Sequence, residues 1–129
     1  MEEFLKVMKA LSAPNRVKII KLLQHEDLLC VCEIQDLLGI SESSVSTHLR
    51  ILHEAGMVER HKKNLWVHYR LSGEPGSPYA ATILMNMKTW LNASAGEKEL
   101  LGKIPEVREK DLCSSLPRSR RGSRTKSCS

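Results

Sequence analysis

Ser41-Glu42-Ser43-Ser44-Val45-Ser46-Thr47-His48-Leu49-Arg50-Ile51-Leu52-His53-Glu54-Ala55-Gly56-Met57-Val58 carries a helix start, an apolar helical face and a helix stop in eighteen residues. Ser41 is a good helix N-cap, and the helix it starts is expected over residues 42–54. Val45, Leu49 and Leu52 recur at i, i+4 and i+7, so they face a core. Gly56 ends the helix. The outward positions are then Glu42, Ser43, Ser46, Thr47 and Arg50, mostly short hydrogen-bonding side chains near the helix N-terminus. Side chains of this kind reach base edges and phosphates from the major groove.

Upstream, residues 30–38 read as a short helix, closed by Gly39 at the position that needs positive φ. Short helix, tight turn and second helix together form a helix-turn-helix. Before it, residues 2–11 carry Phe4, Leu5, Met8 and Leu11 at helical spacing. Ser12-Ala13-Pro14 interrupts them, and a second helix runs from Asn15 to about Gln24 with Val17, Ile19, Ile20, Leu22 and Leu23 apolar. Proline is tolerated in a first helical turn, where its missing N–H costs nothing. Residues 25–29 read as a connector.

Downstream the period changes. Leu65, Val67, Tyr69 and Leu71 alternate with Trp66, His68 and Arg70, the pattern of a half-buried strand. Residues 57–60 are its hairpin partner, and His61-Lys62-Lys63-Asn64 is the turn. Arg60, His61, Lys62 and Lys63 make a local cationic cluster on this wing. A Gly/Pro/Ser loop covers residues 72–78. An amphipathic helix follows over residues 79–92, and a shorter helical stretch over about 97–103. No fixed structure is assigned from Ile104 onward. The expected class is mainly α with a small β-hairpin, a winged helix-turn-helix. The expected division is a DNA-binding and dimerisation domain over residues 1–104 and a flexible basic tail over residues 105–129.

A chain of 129 residues suffices for one domain. The net charge of +5 is unevenly placed. Lys and Arg balance Asp and Glu up to residue 116, and the whole excess lies in Arg118, Arg120, Arg121, Arg124 and Lys126. DNA binding by the folded part must therefore use a local patch, with the tail adding non-specific attraction to phosphate. No apolar run reaches the roughly 18 residues of a membrane span. The acidic N-terminus lacks a signal-peptide pattern, so the expected compartment is the cytoplasm. There, four cysteines are thiols or ligands rather than a disulfide framework.

Cys30-Val31-Cys32 places two soft donors just ahead of the DNA-reading unit. Thiolates select As(III), Sb(III), Cd(II), Pb(II), Cu(I) and Zn(II). On an ideal α-helix, residues i and i+2 lie about 200° apart, so chelation by Cys30 and Cys32 requires a frayed or distorted first turn. Cys113 is a candidate third donor; Cys128 lies one residue from the end. Core packing and thiol redox chemistry are the alternatives for the pair, and a winged-helix DNA-binding protein that needs no inducer is the alternative for the chain. Without Cys-x-x-Cys or a Gly-rich cofactor loop, little points to an enzyme.

Taken together, the sequence resembles the ArsR/SmtB family of metal-responsive repressors. The resemblance is carried by Ala10-Leu11-Ser12-Ala13-Pro14-Asn15-Arg16, Leu29-Cys30-Val31-Cys32-Glu33, Val45-Ser46-Thr47-His48-Leu49-Arg50-Ile51-Leu52, Ala55-Gly56-Met57-Val58 and Trp66-Val67-His68-Tyr69-Arg70-Leu71, in order. It implies a homodimeric repressor that binds a palindromic operator and leaves it when an inducer binds. It also implies a dimer interface of first and last helices, here Phe4, Leu5 and Met8 with Ile83, Met87 and Trp90. The Cys-Val-Cys-Glu segment is similar to the inducer site of the arsenic and cadmium branches, which implies As(III) or Sb(III), with Cd(II), Pb(II) or Zn(II) as the alternative. The sequence departs from the arsenic pattern at Gln35, where a third cysteine is expected. It lacks the N-terminal cysteines of the cadmium branch. No Asp, Glu or His occupies residues 79–92, which removes the zinc-type site of the last helix.

Overall fold

The computed structural model describes residues 1–63, 65–74, 76–90 and 95–110. The chain forms α1 (Glu2–Ala10), α2 (Pro14–His25), β1 (Leu29–Cys30), α3 (Val31–Leu38), α4 (Glu42–Glu54), β2 (Val58–Lys63), β3 (Trp66–Leu71), α5 (Pro78–Met87), α6 (Ala95–Gly102) and α7 (Ile104–Lys110). This is the expected winged helix-turn-helix, mainly helical with a small sheet. Among the described residues, no helix is long and apolar enough to cross a membrane.

Local chemistry sets the element ends. Pro14 occupies the first turn of α2 after an extended Ala13. Gly39 closes α3 in the left-handed region, φ 68°. The Ser41 hydroxyl accepts the Ser44 N–H at 3.2 Å and starts α4. The Ser77 hydroxyl accepts the Ala80 N–H at 3.2 Å and starts α5, whose first residue is a proline. Gly56, φ 77°, sits where a Cβ would fall 2.8 Å from both the Cα and N of Gly76. The wing base thereby touches the loop before α5, and the Gly76 N–H donates to the Gly56 carbonyl at 3.1 Å.

The three strands run antiparallel in the order β1-β3-β2. β1 is a strand the sequence did not reveal, because two residues carry no period. It pairs Leu29 with Tyr69 and Cys30 with His68. The hairpin is longer than expected: β2 continues through His61 and Lys62 to Lys63, which pairs with Trp66. Val67 and Tyr69 face the main core, where α2, α3 and α4 supply Ile19, Ile34, Leu49 and Leu52. Two strand residues reverse the expectation. Leu65, expected inward, lies just outside β3 and is 65% exposed, whereas Trp66, expected outward, is only 6% exposed.

The chain also continues past the last assigned residue. Ile104 and Val107 of α7 join the core, and α7 packs on α3. The last long helix is shorter than expected, since α5 ends at Met87. Leu91, Asn92 and residues 111–129, including Cys113 and Cys128, lie outside the described residues.

Candidate DNA-binding surface and sulfur site

Ser43, Ser46, Thr47 and Arg50 are exposed on α4, and Glu42 is half-buried at its start. Val45, Leu49 and Leu52 are fully buried and hold the helix against the body. Arg50 Nη1 lies 3.6 Å from Glu54 Oε2, one turn away, with both side chains more than half exposed. Such a surface pair is worth at most about 1 kcal/mol, so little holds Arg50 back from a phosphate. On the wing, Arg60, His61 and Lys62 are exposed. Lys63 lies at the tip of β2; its side chain is outside the described set. The structure thus places a polar helix face and a cationic hairpin on two elements joined only by the Ala55-Gly56-Met57 turn.

His48, on the same helix, is half-buried. Its Nδ1 lies 3.1 Å from Arg16 Nη1. Burial, and then the Arg16 charge, hold its pKa below the ordinary 6.5. A neutral ring whose Nδ1 accepts from the guanidinium fits both facts. Arg16 also donates through Nε to the Ala10 carbonyl at 2.7 Å and through Nη2 to the Lys9 carbonyl at 3.3 Å. One side chain at the start of α2 therefore ties the end of α1 to the middle of α4. This node has no signature in the sequence, since nothing in residue spacing pairs positions 16 and 48.

Lys21 was also missed. It is buried, and its Nζ donates to the carbonyls of Met87 and Trp90, the latter at 3.0 Å. Three residues along, Gln24 Nε2 donates to the Leu84 carbonyl at 3.0 Å. A cation at the end of α5 complements its dipole. The signal was available: Lys21 sits between Ile20 and Leu22 in a run too apolar for a solvated lysine.

α1 lies along α5, with the Phe4 and Tyr79 rings edge-to-face at 5.4 Å. Phe4, Leu5, Tyr79, Met85 and Trp90 remain exposed. Met8 and Ile83 are half-buried. Met87, expected on this outer surface, is instead 4% exposed and packs in the core.

The sulfur pair differs most from expectation. Cys30 is not in a helix: it ends β1 and is the extended N-cap of α3, φ −93° and ψ 168°, while Cys32 is the second helical residue. The two sulfurs lie 3.5 Å apart, a contact well beyond the roughly 2.05 Å of a disulfide bond. The strand-to-helix turn, not a frayed helix, brings them together. The Cys30 N–H donates to Glu33 Oε1 at 3.0 Å, and the Cys30 side chain accepts the Glu33 N–H, closing a capping box. Cys30, Cys32 and Trp66 form a small buried cluster separate from the main core.

Residues 13–60 match the profile of the bacterial regulatory protein, arsR family. The arsenic resistance transcriptional regulator ArsR1 of Pseudomonas putida is 40% identical over 105 residues, covering 78% of this chain and 80% of that protein. The chain belongs to the arsR family. This is a family of transcriptional regulators rather than enzymes. The ArsR-family chain is also 38% identical to the arsenical resistance operon repressor of Escherichia coli over 81 residues, 62% of this chain and 68% of that one. Against the cadmium resistance regulatory protein CadC of Listeria innocua the identity is 44% over 61 residues, 47% of this chain. The chain spans about half the length of that cadmium regulator, 51%. Among solved structures, HlyU from Vibrio cholerae superposes with a TM-score of 0.56 at 27% identity, covering 69% of this chain and 92% of HlyU.

Proposed function

We propose that this ArsR-family chain is a homodimeric cytoplasmic repressor that leaves its operator when trivalent arsenic or antimony binds Cys30, Cys32 and Cys113. The observation that carries the reading is the 3.5 Å separation of the Cys30 and Cys32 sulfurs. Two sulfurs so placed share one ion through bonds of about 2.3 Å at an angle near 100°. Such an angle suits a pyramidal three-sulfur ion, and no rearrangement of α3 is required. Cys113 follows the end of α7, which packs on α3, by three residues. Three residues reach up to about 10 Å.

Ser43, Ser46, Thr47 and Arg50, with Glu42 at the helix start, read the major groove, and Arg60, Lys62 and Lys63 hold the backbone. The exposed Phe4, Leu5 and Trp90, with the half-buried Met8 and Ile83, supply the dimer surface. The basic residues from Arg118 to Lys126 add attraction to phosphate. A second reading, induction by Cd(II), Pb(II) or Zn(II), is favoured by the likeness to CadC. It would use the same sulfur pair with a wider angle.

The test is DNA release followed by fluorescence anisotropy at fixed salt, using a duplex selected from a random pool by the apo protein. As(III), Sb(III), Cd(II) and Zn(II) are titrated against wild type, Cys30→Ser, Cys32→Ser and Cys113→Ser. Release by As(III) that is lost in all three variants is the expected result. Release by As(III) that survives in Cys113→Ser alone reduces the site to two sulfurs. Release by Cd(II) alone favours the second reading, and release by no ion refutes both.

A further inference from the structure

Among the described buried apolar residues, the sulfur pair forms a cluster with Trp66, apart from the main core. Cys30, Cys32 and Trp66 are 0%, 8% and 6% exposed. Protein interiors are close-packed, with few voids larger than a water molecule. An ion bridging the two sulfurs through bonds of about 2.3 Å sits about 1.5 Å off the line that joins them. Something in the cluster must make room for it.

The two sides of the cluster differ in stiffness. On the α3 side, Val31 and Ile34 are fully buried in the main core, and the Cys30 N–H is held by Glu33. On the other side, Trp66 is the first residue of β3. It pairs with Lys63, the last residue of β2, and follows the exposed Leu65. The end of a two-stranded ribbon yields more readily than a helix anchored by two core residues. A shift of the Trp66 backbone would carry its pairing partner Lys63 at the wing tip, near which Lys62 stands exposed with Arg60 two residues further down β2.

We infer that Trp66 is the positioning residue that couples the sulfur pair to the wing, so that an ion at Cys30 and Cys32 weakens DNA binding by re-seating Trp66 and withdrawing the wing's cations from the backbone. This rests on the proposed function and adds a route to it. The route runs through the sheet, in parallel with any strain on the turn between α3 and α4.

The experiment uses the full chain with arsenite and Cd(II) as probes. Ion binding is read by thiolate charge-transfer absorbance, and DNA affinity by anisotropy across a salt series, for wild type, Trp66→Phe and Trp66→Leu. In wild type, bound ion is expected to lower the salt slope by about two, since each phosphate contact contributes about 0.9. Trp66→Leu is expected to bind the ion with affinity within threefold of wild type, yet to lose most of the ion-dependent release. Trp66→Phe is expected to fall between. Trp66→Leu that binds the ion and releases DNA by the wild-type factor overturns the inference while leaving the proposed function intact. Wild type that binds neither probe refutes the proposed function and the coupling with it. Because Trp66→Leu could fold poorly, amide hydrogen exchange in wild type gives an independent reading. Faster exchange over residues 60–63 on ion binding supports the route, and an unchanged wing overturns it.

Discussion

Replacing Arg16 by glutamine tests the node that fixes α4 on the body. Arg16 makes three contacts, to the Ala10 carbonyl at 2.7 Å, His48 Nδ1 at 3.1 Å and the Lys9 carbonyl at 3.3 Å. The first is short, part-buried and charge-assisted, a class worth about 1.5–3 kcal/mol. The second comes from the same guanidinium but is longer, and the Arg16 charge also disfavours protonation of His48, so it is counted at only about 0.5–1.5 kcal/mol. The third is long and exposed and counts for nothing here. The loss should therefore be about 2–4 kcal/mol in urea unfolding, a large part of the 5–15 kcal/mol typical of a domain. The same variant carries a second readout. Burial is the larger cause of the lowered His48 pKa and Arg16 the smaller. In Arg16→Gln the imidazole should titrate higher than in wild type yet still below 6.5, followed by NMR of the ring protons. A destabilisation under about 1 kcal/mol, together with an unmoved His48 titration, would refute the claim that this side chain ties α1 to α4.

Gly56→Ala adds a Cβ 2.8 Å from the Gly76 backbone at a φ of 77°; the left-handed cost of about 1–2 kcal/mol and the clash should together exceed about 2 kcal/mol in urea unfolding. Thr47→Ala should relax preference at one base position, whereas Lys62→Ala should weaken all sequences alike and cut the salt slope by about 0.9; equal losses on selected and random DNA for Thr47→Ala would rule out base reading. The folded pKa of His48 lies below 6.5, so the unfolded chain binds the proton more readily. The stability His48 contributes is present above pH 6.5 and is lost as pH falls through the folded value, and His48→Gln should flatten that part of the stability–pH curve.

Most of the fold was legible because its elements are long enough to show a period or carry a strong end signal. Val45, Leu49 and Leu52 gave α4 its face, Gly39 and Ser41 gave the tight turn, and Val67 and Tyr69 gave β3 its inner face. What escaped notice had no local signature. β1 has two residues and exists only through its pairing with β3. That pairing takes Cys30 out of the helix and removes the distortion that an i, i+2 pair on a helix would need. Alternation puts Trp66 in solvent because it assumes one buried face, and β3 has two: the main core on one side and the sulfur pair on the other. Arg16 with His48, and Lys21 with α5, are contacts between distant positions that no spacing rule supplies.

The place of Cys30 as N-cap also separates its structural role from its proposed ion-binding role. Its side chain accepts the Glu33 N–H in the capping box. Serine at an N-cap does this at least as well, while alanine there costs about 0.5–2 kcal/mol. The serine hydroxyl would be fully buried, as Cys30 is; it accepts the Glu33 N–H, but its own O–H finds only the weakly accepting Cys32 sulfur, which offsets part of the cap's benefit. Cys30→Ser should therefore unfold in urea within about 1 kcal/mol of wild type, and Cys30→Ala about 1 kcal/mol more easily than Cys30→Ser. If so, a lost ion response in Cys30→Ser reports the missing sulfur and not a damaged α3. Cys30→Ser less stable than Cys30→Ala would show that the sulfur acts as a packed apolar group rather than a cap. The 3.5 Å contact with Cys32 would then be a packing feature of the core.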